Sequence, residues 1–302
     1  MNQDELKRYA ASKQIALGTV EKDYVLSVVL MQLSKSQYAS KFIFKGGTAI
    51  KKVYFPEARF SVDLDFNFFD ITGDELVKEI SELFGGRTIL EVSFEEIKKE
   101  EMTDDKVLSR LGYTAQMKHL DNVRLDFISK EPVLIEPNLW TQKDDYDVTR
   151  KLTCEHLAVR IVNYLEFRDQ FYDCKLGRMR GEASRRRCLD CRMEAPRRSK
   201  PLSSPFKAMS LEEILSEKVR ACLTRGRPRD LYDIWFLQSK GTKLDRDMII
   251  DKLRLYREFQ ETIPSLKEIK EQLRQIEPEW DRDLGVLVPS KSYPAFEETL
   301  ET

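Results

Sequence analysis

The sequence is poor in histidine, the residue that serves most often as a catalytic acid or base. Only His119 and His156 occur among its 302 residues, and neither lies in a recognisable motif. No Ser-His-Asp arrangement and no Walker-type glycine loop is evident. Any chemistry therefore has to come from other side chains.

The chain also lacks the patterns of membrane and secreted proteins. No apolar run approaches about 18 residues, the length typical of a membrane span. The N-terminal stretch "MNQDELKRYAASKQ" is polar and carries acids, unlike a signal peptide. Five cysteines, an odd number in a long chain, argue against a disulfide framework and favour a reducing compartment. We therefore expect a cytoplasmic protein that does not contact a membrane.

An excess of one charge sign is missing too. The formal net charge is −1, so the field of the whole protein would not attract nucleic acid, and any attraction must be local. Hydrophobic residues make up 41% and charged residues 34% of the chain, which is typical of a globular, helix-rich protein. The length suits one large domain or two modest ones.

The order of the predicted elements indicates an α+β fold. The patterns predict helix over 3–35, a helix with Thr72 or Asp74 as its N-cap, a strand in "PVLIEP" (132–137) and a helix over 154–171. Helices and strands are mixed in the first half, and helices alone follow in the last third, which predicts a mixed sheet with flanking helices and a helical C-terminal lobe. We divide the chain into a core with N-terminal helices at 1–140, a helix with a basic, cysteine-containing insertion at 141–205, and the helical lobe at 206–302.

Two aspartates lie inside an otherwise apolar strand pattern, "SVDLDFNFF" at 61–69. Residues i and i+2 of a strand point to the same face, so Asp63 and Asp65 project side by side while Leu64 and Phe66 face a core. Two neighbouring carboxylates repel each other, and a hard divalent cation such as Mg²⁺ or Mn²⁺ removes that cost. The structural alternative is that one aspartate caps a turn and the other meets an arginine such as Arg59.

A glycine pair precedes this strand by some 15 residues. "FIFKGG" predicts a buried strand that ends at Gly46 and Gly47, and Thr48 opens about two helical turns that Pro56 stops. Such a turn lets the backbone approach an anion and directs free N–H groups at it. A lone glycine pair is a weak signal, but followed by Asp-x-Asp in a strand it favours a phosphate site.

A third carboxylate is needed if two metal ions are to bridge the attacking and leaving oxygens of a phosphoryl transfer. Asp126 in "NVRLDFIS" is the candidate, since it again lies within an apolar strand pattern. By spacing alone it fits an edge-strand charge that faces water equally well. Glu91 and Glu136 are weaker candidates for the same role.

The helix "SLEEILSEKVRACLTR" places two cations in phase with its apolar stripe. Lys218 and Arg225 follow Leu211 and Ile214 on the inward side, whereas Glu212, Glu213 and Glu217 lie more to the sides. An inward charge is costly unless it meets an anion, and an arriving triphosphate would be one. Lys218 could instead lay its stem over the core and keep its ammonium in water.

The next helix begins at "RPRDLYDIW". Asp230 and Asp233 are three residues apart and share a face. Asp230 can be a simple helix cap, or it can position Lys218, accept the proton of an attacking hydroxyl, or hold a nucleotide. Asp233 is interpreted as structural, bonded to Arg229.

The segment 174–205 is basic and contains the pair "CLDC". Zinc at Cys174, Cys188 and Cys191 would need a fourth ligand, Cys154, His156 or Cys222, and spacing does not select one. Free thiols in a loop are the default interpretation. The arginines could follow an RNA backbone or form a solvated run.

Five blocks together resemble the successive motifs of the AbiEii/AbiGii-type nucleotidyltransferases, the toxin halves of type IV toxin–antitoxin and abortive-infection systems. The blocks are "FKGGTAIKKVYF", "RFSVDLDF", "VRLDFISKEPVL", "SLEEILSEKVRACLTRG" and "RPRDLYDIWFL", with "VEKDYVL" near the N-terminus. The likeness covers roughly 20–135 and 206–240. The basic segment departs from the family pattern, in which a shorter connection joins the "EPV" strand to the "SLEE" helix.

The resemblance implies a polymerase-beta-like nucleotidyltransferase fold, a nucleoside triphosphate and Mg²⁺. It implies catalytic roles for Asp63, Asp65, Asp126, Lys218 and Asp230, with the three strand aspartates as metal ligands. For the nucleotide it implies Gly46, Gly47, Thr48, Ser61, Lys218 and Arg225. Characterised relatives add nucleotides to the acceptor end of tRNA, whereas others are known only to bind GTP.

The leading hypothesis is therefore a Mg²⁺-dependent nucleotidyltransferase that transfers a nucleoside monophosphate to an acceptor hydroxyl, with tRNA as the favoured acceptor and a cognate antitoxin as partner. Phosphoryl-type transfer depends mainly on positioning and charge stabilisation, which suits a chain without catalytic histidines. A protein or small-molecule hydroxyl is an alternative acceptor. The rival class is a nucleotide- or RNA-binding regulator with the same fold.

Overall fold

The structure is a computed structural model. It describes residues 2–103, 105–129, 131–139, 207–256, 264–289 and 294–301, together with residues 171–172, 179–180 and 259. The predicted helix at 154–171, apart from Phe171, and nearly all of the basic segment, including Cys174, Cys188 and Cys191, lie outside these residues.

Two helices precede the sheet. Helix α1 spans Gln3–Lys13 and begins with a capping box from Asn2, and α2 spans Leu17–Leu33. A continuous helix over 3–35 was expected, but Gln14 adopts a left-handed conformation (φ 54°) and ends α1. Most of α2 is buried, so it forms the centre of the helical layer rather than its surface.

An eight-stranded mixed sheet forms the centre of the protein, in the order β3-β4-β5-β6-β2-β1-β10-β7. Its strands are β1 Phe42–Lys45, β2 Asp63–Phe68, β3 Thr88–Ile89, β4 Val92–Thr103, β5 Lys106–Thr114, β6 Leu120–Ile128, β7 Asn138–Leu139 and β10 Lys207–Ala208. The short strands β8 (Phe171–Tyr172) and β9 (Met179–Arg180) pair with each other. This is the α+β fold that the element order predicts.

The connection from β1 to β2 runs through the glycine pair. Helix α3 spans Gly46–Ala49 and continues as a π-helical turn over Ile50–Tyr54. Lys52, on this turn, forms a buried ion pair with Asp23 of α2 (2.8 Å). A buried pair of this kind is costly to break, so it fixes the glycine-started helix against the N-terminal helices.

One face of the sheet carries the core. Leu64 and Phe66 are fully buried, as the strand alternation predicts, and the Phe66 ring stacks on Phe127 of β6 at 4.9 Å between centroids. Phe42 adds a tilted contact to Phe127 at 5.4 Å. Helix α4 (Gly73–Phe84) starts with a capping box from Thr72, one of the two predicted N-caps. The core therefore leaves the aspartates of β2 on the opposite face.

The C-terminal part is helical, as expected. Its helices are α5 Leu211–Arg225, α6 Pro228–Ser239, α7 Arg246–Arg254, α8 Leu266–Arg274, α9 Trp280–Leu284 and α10 Phe296–Leu300. Helix α5 packs against α6 and α7, and α6 also contacts α9 and α10. Among the helices of the described ranges, none is both long and apolar enough to cross a membrane.

The predicted strand "PVLIEP" at 132–137 is wrong, because only Asn138–Leu139 pairs with the sheet. The N–H groups of Leu134 and Ile135 donate instead to the buried carboxylate of Glu213 (2.8 and 3.0 Å). A carboxylate thus replaces a neighbouring strand as the hydrogen-bond acceptor for this segment.

Candidate active site

The three strand aspartates lie on one face of the sheet. Strands β2 and β6 are parallel neighbours, and Asp65 pairs in register with Asp126. Residues in register on adjacent strands point to the same side, and Asp63 follows by the alternation of β2. Strand pairing therefore brings together the carboxylates that the sequence analysis selected separately.

The acids of this face raise one another's pKa. Burial, and then the charges of Asp126 and Asp63, raise the pKa of Asp65 from 3.8 to about 6. Burial also raises the pKa of Asp126, against the opposing effect of Arg124, and Asp63 adds to the rise. Carboxylates that repel one another in this way are ligands that a hard divalent cation favours, because the cation removes the repulsion.

One carboxylate is already engaged by a neighbouring arginine. Arg124 Nε donates to Asp126 Oδ1 at 2.9 Å, and Arg124 lies in register with Asp63. Within the described ranges, no group of three His, Cys, Asp or Glu side chains lies close enough to hold a metal ion. Three carboxylates fit a divalent cation by their chemistry, but their side chains have to move closer together before all three could bind one. Sequence reasoning missed Arg124, although its i, i+2 spacing to Asp126 in "VRLDF" was a usable signal.

The glycine turn packs directly against these acids. Gly46 has φ +76°, and a Cβ at this position would lie 2.2 Å from Asp65 Oδ2. A Cβ on Gly47 would lie 2.8 Å from Arg59 Nη2 and 3.3 Å from Ser61 Oγ. Both glycines are therefore required by close approach, at Gly46 to the carboxylate and at Gly47 to a guanidinium and a hydroxyl.

Thr48 is buried, and its hydroxyl donates to the carbonyl oxygen of Asp63. This bond joins the first turn of the glycine-started helix to the start of β2. Ser61, also buried, lies beside Gly47. The two hydroxyls that the family resemblance implies for nucleotide binding therefore line the same turn.

Lys218 reaches the site from helix α5. Its Nζ lies 3.0 Å from Asp230 Oδ1 and 2.8 Å from Asp233 Oδ2. Burial opposes its charge, but Asp233 and Asp230 raise its pKa above the ordinary value, so the ammonium stays protonated. Its charge also acts to lower the pKa of Asp65. Lys218 is buried rather than snorkelling, as the functional interpretation of its helix position requires.

Asp230 is bound by two cations. Besides Lys218, Arg225 donates to it from Nε (2.8 Å) and Nη2 (2.9 Å). Burial acts to raise its pKa, but Lys218 and Arg225 lower it below the ordinary value. A carboxylate held in this way is a poor proton acceptor, so of its predicted roles the positioning of Lys218 fits best. Arg225 itself has a half-exposed side chain rather than an inward one.

The predicted partner of Asp233 was wrong. Asp233 accepts from Arg59 Nε and Nη2, both at 2.7 Å, and not from Arg229. Arg59 thus meets an aspartate of helix α6 instead of Asp63 or Asp65. The structural alternative, in which one aspartate of β2 caps a turn and the other meets an arginine, therefore does not hold for Arg59.

A second buried charge cluster borders the site and was not predicted. Lys45, in register with Asp65, lies between Glu131 (2.5 Å) and Glu217 (3.4 Å), and these acids raise its pKa to about 12 against the effect of burial. Glu217 and Glu213 in turn pair with Lys252 of α7 at 3.1 and 2.7 Å. These glutamates are buried, whereas the helix pattern placed them to the sides.

The weaker candidates for a third carboxylate lie elsewhere. Glu91 is exposed and accepts a hydrogen bond from Gln116, and Glu136 is exposed and pairs with Lys207. Neither is in register with the aspartates of β2. Asp126 remains the third acid of the site.

Paired strand aspartates, a glycine-started helix and a lysine from a following helical region define a nucleotidyltransferase. The chain belongs to the family described as "Nucleotidyl transferase AbiEii toxin, Type IV TA system", which matches residues 28–156 and 180–302. It is thus a member of a family of nucleotidyltransferase toxins, as the motif blocks indicated.

Solved structures share the fold. The nucleotidyltransferase toxin MenT4 from Mycobacterium tuberculosis H37Rv is 16% identical, with a TM-score of 0.56 over 99% of this chain and 86% of its own. JHP933 from Helicobacter pylori is 13% identical, with a TM-score of 0.51 over 95% and 89% of the two chains. A putative nucleotidyltransferase from H. pylori, also 13% identical, has a TM-score of 0.52 over 95% and 92%. No curated protein matches the sequence.

Proposed function

We propose that this nucleotidyltransferase transfers a nucleoside monophosphate from a nucleoside triphosphate to a hydroxyl of tRNA, with Mg²⁺ as cofactor. The observation that carries the proposal is the register of Asp65 with Asp126, next to Gly46 and within the field of Lys218. The acids that could bind a cation thus lie next to the glycine turn, whose backbone N–H groups could bind phosphates and have no side-chain cap within the described ranges.

In this proposal Asp63, Asp65 and Asp126 hold the cation, which supplies the charge that stabilises the phosphate oxygens. The turn at Gly46–Thr48 and Lys218 orient the triphosphate. The acceptor hydroxyl forms a new bond to the α-phosphorus, the bridging bond to the β-phosphate breaks, and pyrophosphate leaves. The hydroxyl proton passes to Asp126, which Arg124 contacts through a single oxygen, whereas Lys218 and Arg225 occupy both oxygens of Asp230.

Incubation with Mg²⁺, total tRNA and each radiolabelled nucleoside triphosphate in turn tests the transfer. We expect label in tRNA with the wild type and its loss in Asp65→Asn. Asp70→Asn is the matched control, because Asp70 is an exposed carboxylate just beyond the same strand. Label in protein or in a small molecule would replace tRNA as the acceptor. Nucleotide binding without transfer to any acceptor would identify a regulator and overturn the proposal.

The type IV family also implies an antitoxin as partner. We propose that a small regulatory protein encoded next to this chain neutralises it and that both act in the cytoplasm, where tRNA is found. Co-expression should restore growth to cells that the toxin alone arrests. Growth arrest that persists with every adjacent gene product would contradict the pairing.

A further inference from the structure

Within the part of the chain that the structure describes, Arg229 is a half-buried cation without a partner. It lies in the first turn of α6, and no residue within the described ranges forms a hydrogen bond or ion pair with its side chain. A guanidinium carries five N–H donors, and removing it from water without acceptors is costly. A folded protein keeps such a group most readily where a ligand supplies the acceptors.

The three cations that contact Asp230 and Asp233 are already committed. Arg59 binds Asp233 through two nitrogens, Arg225 binds Asp230 in the same way, and Lys218 contacts both aspartates. Three cations thus share two carboxylates. An arriving phosphate can use Arg229 without breaking any ion pair within the described ranges, which is not true of the other three.

Arg229 directly precedes Asp230 in the first turn of α6, and Asp230 contacts Lys218 and Arg225 of the candidate site. Burial and the charge of Arg59 lower the pKa of Arg229, and Arg227 acts in the same direction, whereas Asp63 and Asp230 attract the guanidinium. Asp230 is already satisfied by Lys218 and Arg225, and Asp63 is a proposed cation ligand. The guanidinium therefore lies half-buried on the helix turn that brings Asp230 to Lys218, and no described residue neutralises it.

We propose that Arg229 is a phosphate-binding residue of this site, gripping the phosphate tail of the nucleotide through paired N–H···O bonds. The inference rests on the proposed function, because it places the phosphate next to Asp63. The same chemistry could come from a phosphodiester of the acceptor strand, and the two sources are separable. Paired guanidinium–phosphate bonds also require arginine in particular, since lysine offers only a point charge.

Binding of a radiolabelled nucleoside triphosphate, and separately of tRNA, tests the role without needing turnover. We expect Arg229→Met to weaken triphosphate binding about 10- to 100-fold, the value of a lost charged hydrogen bond. Arg229→Lys should recover only part of the loss. Arg227→Met is the matched control, because Arg227 is an exposed arginine two residues away and its substitution removes the same charge. We expect the affinity of this variant for triphosphate to differ from that of the wild type by less than about threefold.

Stability measurements separate this role from a structural one. Arg229→Met should unfold at the wild-type temperature or above it, because it removes an uncompensated charge. A large loss of stability would overturn the inference. A defect confined to tRNA would assign the phosphate to the acceptor strand. If the wild type binds triphosphate and Arg229→Met binds it equally well, this inference alone is overturned. If the wild type binds neither triphosphate nor tRNA, the proposed function is overturned as well.

Discussion

Arg59 and Asp233 form a buried ion pair with two hydrogen bonds, although 174 residues separate them in the sequence. Arg59 precedes β2 and lies against Gly47, while Asp233 belongs to α6 and also contacts Lys218. The pair therefore links the glycine turn to the helix that positions the lysine. Its geometry couples the two halves of the proposed phosphate site.

Removing both partners of this pair should cost less stability than the sum of the losses from removing each partner alone. Arg59→Met leaves Asp233 with Lys218 alone, and we expect it to lower the free energy of unfolding by about 3 kcal/mol. Arg59→Met with Asp233→Leu should lose less than the sum of the two single variants. Urea denaturation of the four proteins measures the coupling. Additive losses would mean that the two residues are energetically independent.

Replacing Gly46 by alanine should disable the site through Asp65. The variant meets backbone strain at φ +76° and places Cβ 2.2 Å from the Asp65 carboxylate. Gly86→Ala is the control, because Gly86 also has positive φ (+63°) but no described atom would lie within 4 Å of a Cβ added to it. Both should lose about 1–2 kcal/mol of stability from backbone strain, but only Gly46→Ala should lose nucleotidyl transfer. Equal activity in the two variants would contradict the close approach.

Local patterns predicted much of the site because the chemistry follows short-range rules. Alternation placed Asp63 and Asp65 on one face, and helix phase placed Lys218 inward. The register of Asp65 with Asp126 was not predictable, since it depends on which strands become neighbours. The hypothesis required all three acids to point to one face of the sheet. The parallel pairing of β2 with β6 meets this requirement.

The misses share a physical cause: long-range polar contacts that hydrophobic patterns do not reveal. Glu213 was assigned to the side of its helix because it lies out of phase with the apolar stripe, yet it binds Lys252 and two backbone N–H groups. "PVLIEP" looked like a strand because it is a short apolar run with β-branched residues between two prolines. Its N–H groups found a side-chain acceptor instead.

Neutralising Asp65 should stabilise the protein in a pH-dependent way. The pKa of Asp65 is about 6 in the folded protein against 3.8 ordinarily, so the fold favours the protonated acid. The corresponding stability is present below pH 3.8 and is lost as the pH rises through 6. At about pH 8 we expect Asp65→Asn to raise the melting temperature by roughly 2–4 °C, with a smaller gain near pH 5.

Mg²⁺ should change this comparison. A cation that binds only the folded wild type raises its melting temperature, and the Asp65→Asn variant should respond little. Asp70→Asn serves as the control and should keep the wild-type response to Mg²⁺. A melting temperature of Asp65→Asn that rises with Mg²⁺ as much as that of the wild type would remove Asp65 from the cation site.

Glu213 should contribute to the stability of the fold, whereas its neighbour Glu212 should not. Its carboxylate holds the chain after β6 through Leu134 and Ile135 and neutralises Lys252, all inside the protein. Glu213→Ala leaves these backbone donors without an acceptor, and we expect the free energy of unfolding to fall by about 3 kcal/mol. The loss is not larger because Glu217 still neutralises part of the lysine charge. Glu212→Ala removes the same group one position away, from a side chain without an ion pair within the described ranges, and should cost less than about 0.5 kcal/mol. Equal urea midpoints for the two variants would show that the buried carboxylate does not hold the segment.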